Sequence, residues 1–441
     1  MFIESILSYI INTVNRNLVV YNYFSALELI RAIIYNCFIE LRRDFMLFKE
    51  TVITGISVRN RIIRSATHDG LADENGAPSE KLIAKYENLA KNGVGCIISG
   101  YAAVSRNGVS PYPRMLKIYD DSVIGKYKEL TDAVHANGAP IILQIAHCGR
   151  QTSSKAIGVR KVAPSDVLHG FYPDKSKVMT EAEIYALIDD FVSAAVRAEK
   201  AGFDGVQLHG GHGYILHDFL SPYGNRRKDS FGGSLKNRCK VVELIIKGIK
   251  EKTNLPVWIK LSAEDNRKGG MNINDSVEIC KRLEKAGCDA IEVSCGTVQD
   301  GMNTMRSKYL PMDAVFKYRE PCASFPKALT AIALPAAKLI NPLIKQPTPL
   351  ENFNVANAEI IKNNVSVPII CVGGIYKKSD MEGFINSGKT DFISLCRPFI
   401  CEPDLVKKLE NGQESAKCIM CNYCGLVIEK EPTRCLYGKV K

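Results

Sequence analysis

Long apolar runs are missing from the sequence, which limits the structures it can adopt. Residues 1–45 are rich in Ile, Tyr and Phe, but Glu4, Arg16, Glu28 and Arg31 interrupt every apolar run. A membrane span needs roughly 20 consecutive apolar residues. A basic start and a small-residue cleavage site are also missing, so a secretory signal fits poorly. We therefore expect no membrane span, and we predict an N-terminal extension at residues 1–45, to which we assign no role.

A nucleic-acid-binding signature is absent as well. Lys and Arg outnumber Asp and Glu by 58 to 47, but the basic residues are scattered along the chain and mixed with acidic ones. Nucleic-acid binding is expected where basic residues cluster on one face or in a motif. The charge balance thus indicates a solvated surface, and we expect no nucleic-acid partner.

The cysteines do not have the pattern of a disulfide framework. There are 15 of them, an odd number, and 11 are dispersed through segments typical of buried strands or helices. That usage is typical of reduced thiols, so we expect a cytoplasmic protein. The remaining four form a separate cluster near the C-terminus and are Cys418, Cys421, Cys424 and Cys435.

Short apolar or β-branched runs of strand length recur eight times. Most are continuous rather than alternating, which is typical of parallel strands covered on both faces. Segments of helical periodicity lie between them, and several end at a glycine before the next strand. The predicted strands are residues 61–65, 96–99, 140–145, 205–208, 257–261, 290–294, 367–372 and 392–395.

Eight strands that alternate with helices predict one (β/α)8 barrel over residues 46–412. A doubly wound open sheet is the alternative, but no Gly-x-Gly-x-x-Gly sequence follows a strand. Residues 297–352 contain seven prolines and are too long for an ordinary loop. We predict a partly helical insertion there, at the barrel mouth, and a cysteine-rich tail over residues 413–441.

Three polar rings follow the fourth predicted strand. His209, His212 and Tyr214 lie within six residues and are interleaved with glycines. In barrels of this class the catalytic groups lie at the carboxyl ends of the strands. A lone His is more often structural, but three rings at one strand end can converge on a small ligand. We therefore place the chemistry at this segment.

Other strand ends bring further polar groups to the same face. Gln144 can donate and accept hydrogen bonds, whereas Lys260 only donates. Gly373 and Gly374 follow strand seven, and Arg397 follows strand eight. Free backbone N–H groups together with an arginine suit a phosphate.

The sequence resembles the Old Yellow Enzyme (NADH:flavin oxidoreductase) family over residues 46–410. The resemblance rests on residues 60–67, on residues 144–151, and above all on residues 202–238, which contain HGGHGYILHDFLSP and DSFGGSLKNR. It implies an FMN-binding (β/α)8 barrel that takes electrons from NADH or NADPH.

By the same resemblance, three groups of residues contact FMN. Those near the flavin ring are Ser65, Ala66, Thr67, Gly100 and Tyr101. Those that bond the pyrimidine edge are Gln144 and Lys260. Those that hold the phosphate are Gly373, Gly374, Cys396 and Arg397.

The resemblance also implies a mechanism for reducing activated C=C bonds of enones, quinones or related small acceptors. His209 and His212 bind the substrate carbonyl oxygen, flavin N5 delivers hydride to the β-carbon, and Tyr214 protonates the α-carbon. Two positions depart from the common pattern of the family. His68 stands where many members have Cys or Thr, and Lys260 replaces a frequent Arg.

The four clustered cysteines are similar to the iron–sulfur ligands of the dienoyl-CoA reductase branch. That branch has three residues between its second and third cysteines, whereas Cys421 and Cys424 are separated by two. Four thiolates at this spacing could hold an iron–sulfur cluster or Zn²⁺, and structural thiols without a metal are the alternative.

Other functions stay open at this point. They are an FMN-binding redox protein without catalysis, a flavin enzyme such as an amine dehydrogenase or demethylase, and a non-flavin aldolase or isomerase that uses Lys260. The presence of His209, His212 and Tyr214 together favours carbonyl-activated reduction over these alternatives.

Overall fold

The computed structural model describes residues 46–300 and 303–438, so the predicted N-terminal extension lies outside the described residues. Eight parallel strands of a ten-stranded sheet form the barrel. They are β1 (Ile62–Arg64), β2 (Cys96–Ile98), β3 (Ile141–Ala146), β4 (Gly205–Gly210), β5 (Val257–Ser262), β6 (Ala290–Ser294), β7 (Ile369–Val372) and β8 (Phe392–Leu395).

The sheet closes on itself. Each strand pairs with the next one along the chain, and β8 pairs in parallel with β1 through Ile393 opposite Ile62. A closed sheet leaves no strand edge unpaired, which excludes the open-sheet alternative. The predicted (β/α)8 barrel is therefore confirmed.

Eight helices follow the strands and cover the barrel. They are α1 (Glu80–Lys91), α2 (Ile124–His135), α3 (Glu181–Lys200), α4 (Leu235–Lys252), α5 (Ile273–Lys285), α6 (Val355–Lys362), α7 (Lys378–Asn386) and α8 (Leu405–Glu410). A capping box between Thr180 and Glu183 starts α3, and Gly202, at a φ of 80°, follows its C-terminal end.

Further helices and strands lie outside the eight strand–helix pairs. The additional helices are Ser154–Ile157, Ile215–Leu220, Met312–Tyr318, Lys327–Ile340, Arg397–Cys401 and Tyr423–Val427. The additional strands are Thr51–Ile53, Ile56–Val58, Ala102–Ala103, Leu116–Lys117, Val162–Ala163 and Lys177–Val178.

The two ends of the barrel interior differ in chemistry. At the amino-terminal end of the strands, Ile53 and Val58 from the first hairpin pack with Trp258, Ile63 and Phe392 into an apolar cluster. The Trp258 indole N–H donates to the Thr54 hydroxyl, which fixes the hairpin beneath the barrel. Polar side chains are therefore left for the carboxyl end, where the predicted site lies.

The segment between β6 and β7 contains the helices Met312–Tyr318 and Lys327–Ile340. The first packs against the tail helix Tyr423–Val427, and Ala314, Tyr318, Leu426 and Val427 form a small core there. The insertion and the cysteine-rich tail thus support each other beside the barrel. Within residues 46–300 and 303–438, no helix is long and apolar enough to cross a membrane.

Candidate active site

A cavity of about 550 Å³ lies at the carboxyl ends of the barrel strands, a size typical of small-molecule sites. The insertion and the tail contribute part of its wall, for example Met312, Val315 and Leu426. Thirteen of the predicted catalytic and FMN-binding residues line it: Ser65, Ala66, Thr67, Tyr101, Gln144, His209, His212, Tyr214, Lys260, Gly373, Gly374, Cys396 and Arg397.

Three rings converge where β4 ends. The ring centroid of His209 lies 4.3 Å from that of Tyr214 and 5.2 Å from that of His212. His212 adopts a left-handed backbone conformation with a φ of 63°, and its N–H donates to the Ser262 hydroxyl. Its Nε2 lies 2.7 Å from the Ser294 hydroxyl. The local turn and two serines from neighbouring strands thus orient His212 toward His209.

The protonation states of these rings follow from their burial. Burial lowers the pKa of His209 and of His212 well below the usual value, and the nearby Lys260 charge acts in the same direction. Burial likewise raises the pKa of Tyr214 well above its usual value. At neutral pH the site therefore contains two uncharged imidazoles beside a protonated phenol.

One nitrogen of this group has no hydrogen-bond partner among the described residues. His209 Nδ1 is buried, and among the described residues it has no hydrogen-bond partner. A buried polar atom left unpaired costs about 1–3 kcal/mol, so such atoms in native sites are usually satisfied by a bound molecule or water. His209 Nδ1 is therefore a polar atom whose hydrogen bond the described residues do not supply.

Tyr101 extends this polar surface. Its ring lies 5.5 Å from Tyr214 and 6.2 Å from His209, and its hydroxyl donates to Ser110. The neighbouring Gly100 is not among the residues that line the cavity, because its backbone faces Tyr86, whose hydroxyl accepts the Gly100 N–H. Of this predicted pair, only Tyr101 lines the cavity.

The polar side chains at the floor of the cavity contact Glu292, a buried residue that does not itself line the cavity and that the sequence analysis missed. The Glu292 carboxylate is fully buried and accepts hydrogen bonds from Ser65 and Ser394. Lys260 Nζ lies 3.2 Å from the same carboxylate and donates to Ser65. Glu292 therefore neutralises and orients the predicted lysine.

Gln207 links Glu292 to the predicted glutamine. Its amide donates to Glu292, and its carbonyl accepts a 2.7 Å hydrogen bond from Gln144. A signal for these residues exists in the sequence, since Gln207 and Glu292 lie within apolar strands just as Lys260 does. The register places Glu292 directly opposite Lys260 across β5 and β6.

The opposite end of the cavity contains the predicted phosphate residues. Gly373 and Gly374 have φ values of 143° and 72°, which only glycine adopts readily. The Arg397 guanidinium donates to the Asn422 side chain and to the Arg306 carbonyl. Asn422, a tail residue absent from the prediction, thus holds Arg397 against the cavity wall.

The four tail cysteines lie near one another beside this end. Cys418 and Cys424 line the main cavity, and a small neighbouring cavity is lined by these two together with Cys401, Cys421 and Cys435. Across the described part of the chain, no group of three or more His, Cys, Asp or Glu is arranged to hold a metal ion. The iron–sulfur or zinc site therefore stays a prediction, which elemental analysis of the purified protein tests.

Comparison with known proteins shows which family this chain resembles. The model of the NADH:flavin oxidoreductase / NADH oxidase family matches residues 46–342 and 327–416. An NADH oxidase of Thermoanaerobacter brockii is 34% identical over 89% of this chain and 56% of its own length. An NADPH dehydrogenase of Halalkalibacterium halodurans is 35% identical over 58% of this chain and 74% of its own length.

A solved structure of related name has a similar fold. The structure of an Old Yellow Enzyme homologue from Zymomonas mobilis superimposes with a TM-score of 0.65 at 23% identity, covering 85% of this chain and 95% of that one. The chain spans only about half the length of the NADH oxidase relative, 56%.

Proposed function

Because the chain belongs to the NADH:flavin oxidoreductase / NADH oxidase family, we propose that it is an FMN-dependent NAD(P)H oxidoreductase that reduces activated C=C bonds of α,β-unsaturated carbonyl compounds. The observation that supports this reaction is the group of His209, His212 and Tyr214 at one end of the cavity. Two neutral hydrogen-bond donors beside a protonated phenol suit an acceptor that gains both electron density and a proton.

The residues around the cavity fit FMN. Gln144 and Lys260 present donors to a pyrimidine edge from the polar floor, and Glu292 fixes the lysine below them. At the other end Gly373, Gly374 and Arg397 suit a phosphate. When bound, FMN supplies two-electron chemistry between NADH or NADPH and the acceptor.

His209 and His212 activate the acceptor in this proposal. A neutral imidazole N–H donates to a carbonyl oxygen, and such a bond strengthens as negative charge develops on that oxygen. His209 and His212 both line the cavity, and Ser294 and Ser262 hold His212 beside His209. The two rings therefore polarise the conjugated double bond.

Tyr214 supplies the proton. Its phenol stays protonated at neutral pH because burial raises its pKa, and its ring packs on His209. A proton donor next to the carbonyl-binding group reaches the α-carbon of the same substrate. General acid catalysis of this kind contributes about 10²–10⁴-fold to a rate.

Oxidation of an amine, the main alternative within this fold, has less support. A cationic substrate calls for an acidic residue at the reacting end of the cavity. Of the described residues that line the cavity, only Glu429 is acidic, and its carboxylate pairs with Arg319 at 3.7 Å. The reacting end instead contains Lys260 and neutral rings, which suit an electron-poor carbonyl compound.

A Tyr214→Phe variant tests the proposal. We expect the anaerobic reoxidation of reduced enzyme by 2-cyclohexenone to slow by about 10²-fold or more, while flavin reduction by NADPH changes little. Tyr112→Phe is the matched control, because Tyr112 also lines the cavity but its ring contacts His68. An unchanged reoxidation rate in Tyr214→Phe would remove this residue from the donor role.

A further inference from the structure

The helix Lys327–Ile340 stands on the outside of the molecule with no buried residue along its length. It is attached to the wall of the cavity at few points. Lys338 Nζ lies 3.0 Å from Asp313 on the helix Met312–Tyr318, and the Asn341 amide donates to the Leu310 carbonyl. The helix is therefore anchored along one side only.

The opposite side of this helix is apolar and open to solvent. Leu329, Ile332, Leu339 and Ile340 are spaced so that they share one face, and Leu343 continues it in the turn that follows. Ile332 is 74% exposed, Leu339 79% and Leu343 82%. We call these five residues the outer face. A contiguous exposed apolar surface of this kind marks a contact with another molecule or a membrane.

The charges around the outer face indicate the chemistry of that contact. From Lys327 to Lys345 the sequence contains three lysines and no acidic residue, and Lys338 is paired with Asp313, so Lys327 and Lys345 supply the positive charge. The whole chain has a net charge of +11. Lys327 at the start of the helix and Lys345 beyond its end are exposed. Positive charge around an apolar face favours binding to an anionic surface. The same charge opposes association with a second copy of this chain, because the two copies repel each other.

We propose that the outer face binds the surface of an anionic phospholipid bilayer. The helix lies in the plane of the interface, with its leucine and isoleucine side chains among the upper acyl carbons and the lysines at the headgroups. This mode of binding needs no spanning helix. It brings the helix Met312–Tyr318, which lines the cavity, to within one helix layer of the lipid.

Sedimentation with vesicles tests this proposal on the full FMN-loaded chain. We expect the wild type to sediment with phosphatidylcholine vesicles that contain phosphatidylglycerol, and much less with phosphatidylcholine alone or at high salt. The variant Ile332→Glu/Leu339→Glu should lose roughly 100-fold in partitioning, because two buried aliphatic side chains contribute about 3 kcal/mol or more. The readout needs no turnover, so it is independent of the proposed reaction.

A matched control separates the outer face from net charge. Val52→Glu/Val159→Glu makes the same change at two exposed valines outside the insertion, and we expect it to partition like the wild type. Equal losses in both double variants, or no binding of the wild type to anionic vesicles, would overturn the proposal. So would a dimer of the wild type in the absence of lipid that Ile332→Glu/Leu339→Glu converts to a monomer, since the face would then join two copies. Flavin absorbance and melting temperature verify that each variant is folded.

Discussion

Glu292 shows how a single buried charge organises the floor of the cavity. Its carboxylate interacts with Lys260, Ser65, Ser394 and Gln207, and all of these side chains are buried. A buried ion pair is weak evidence for stability by itself, but removal of one partner leaves the other charge uncompensated. The role of Glu292 is therefore to permit a cation at the base of the site.

Glu292→Gln is predicted to destabilise the protein by about 3–5 kcal/mol, because it leaves the buried Lys260 ammonium without a counter-charge. Urea unfolding measures this change, and Glu292→Gln/Lys260→Met serves as the paired variant. We expect the double variant to be more stable than Glu292→Gln alone, since no buried charge is left unpaired. If the loss of stability in the double variant equals the sum of the losses in Glu292→Gln and in Lys260→Met, the two residues are not coupled.

The same substitution should alter the bound flavin. Without the Glu292 carboxylate, the region below the pyrimidine edge gains a full positive charge, which favours the reduced, more negative cofactor. We expect the midpoint potential of FMN in Glu292→Gln to shift to a more positive value, as measured by anaerobic dye titration. A shift in the negative direction would contradict the placement of Lys260 beside the cofactor.

At the scale of elements, the tail acts as part of the cavity wall. Asn422 has a left-handed backbone with a φ of 63°, its amide donates to the Met305 carbonyl, and its side-chain oxygen accepts from Arg397 at 2.7 Å. One side chain thereby joins the tail, the insertion and the strand end that carries the predicted phosphate ligand. Loss of this side chain should loosen all three.

Asn422→Ala is expected to weaken FMN retention by up to about 30-fold, since two buried hydrogen bonds of about 1 kcal/mol each are lost. Titration of the apoprotein with FMN, followed by quenching of flavin fluorescence, measures the affinity. Asn364→Ala, an exposed asparagine at the end of α6, is the matched control. Equal affinities for the two variants would mean that the tail does not position Arg397.

The sequence predicted the strands of the barrel more completely than the side-chain contacts between distant residues. All eight strands were located because continuous apolar runs identify buried parallel strands, and α3 was bounded by its capping box. Helix α6 (Val355–Lys362) has a weaker signal in the sequence, since its eight residues follow a proline-rich segment with little periodicity. The contact between Asn422 and Met305 joins residues 117 positions apart and leaves no local pattern.

In the candidate site, too, residues close together in the chain were easier to predict than contacts between distant residues. His209, His212 and Tyr214 were found because they are adjacent in the chain at a strand end. Glu292 and Gln207 were missed because a polar residue inside an apolar strand shows only that it is paired, not with what. Their partners are fixed by the register of β4, β5 and β6, which becomes visible only when the barrel is closed.

At the scale of the whole molecule, buried imidazoles should limit stability in acid. Burial lowers the pKa of His147 to about 4 and that of His169 to about 3, and it lowers the pKa of His209 well below its usual value. The unfolded chain binds protons at these residues near pH 6.5. Because the unfolded state binds more protons, the stabilisation is complete above pH 6.5 and is lost as the pH falls toward the folded pKa values.

Each such histidine costs about 1.4 kcal/mol per pH unit below 6.5, so these three together cost roughly 4 kcal/mol between pH 6 and pH 5. Urea unfolding over pH 5–8 should therefore show a free energy of unfolding that falls steeply below pH 6.5. In His147→Gln the slope of this fall should be smaller by the equivalent of about one proton. His135 has the opposite sign, because its hydrogen bond to Asp204 raises its pKa and stabilises the fold at lower pH. His135→Gln should accordingly leave this fall at least as steep. A stability that does not change between pH 6.5 and pH 5 would contradict the burial of neutral imidazoles on which the proposed carbonyl activation depends.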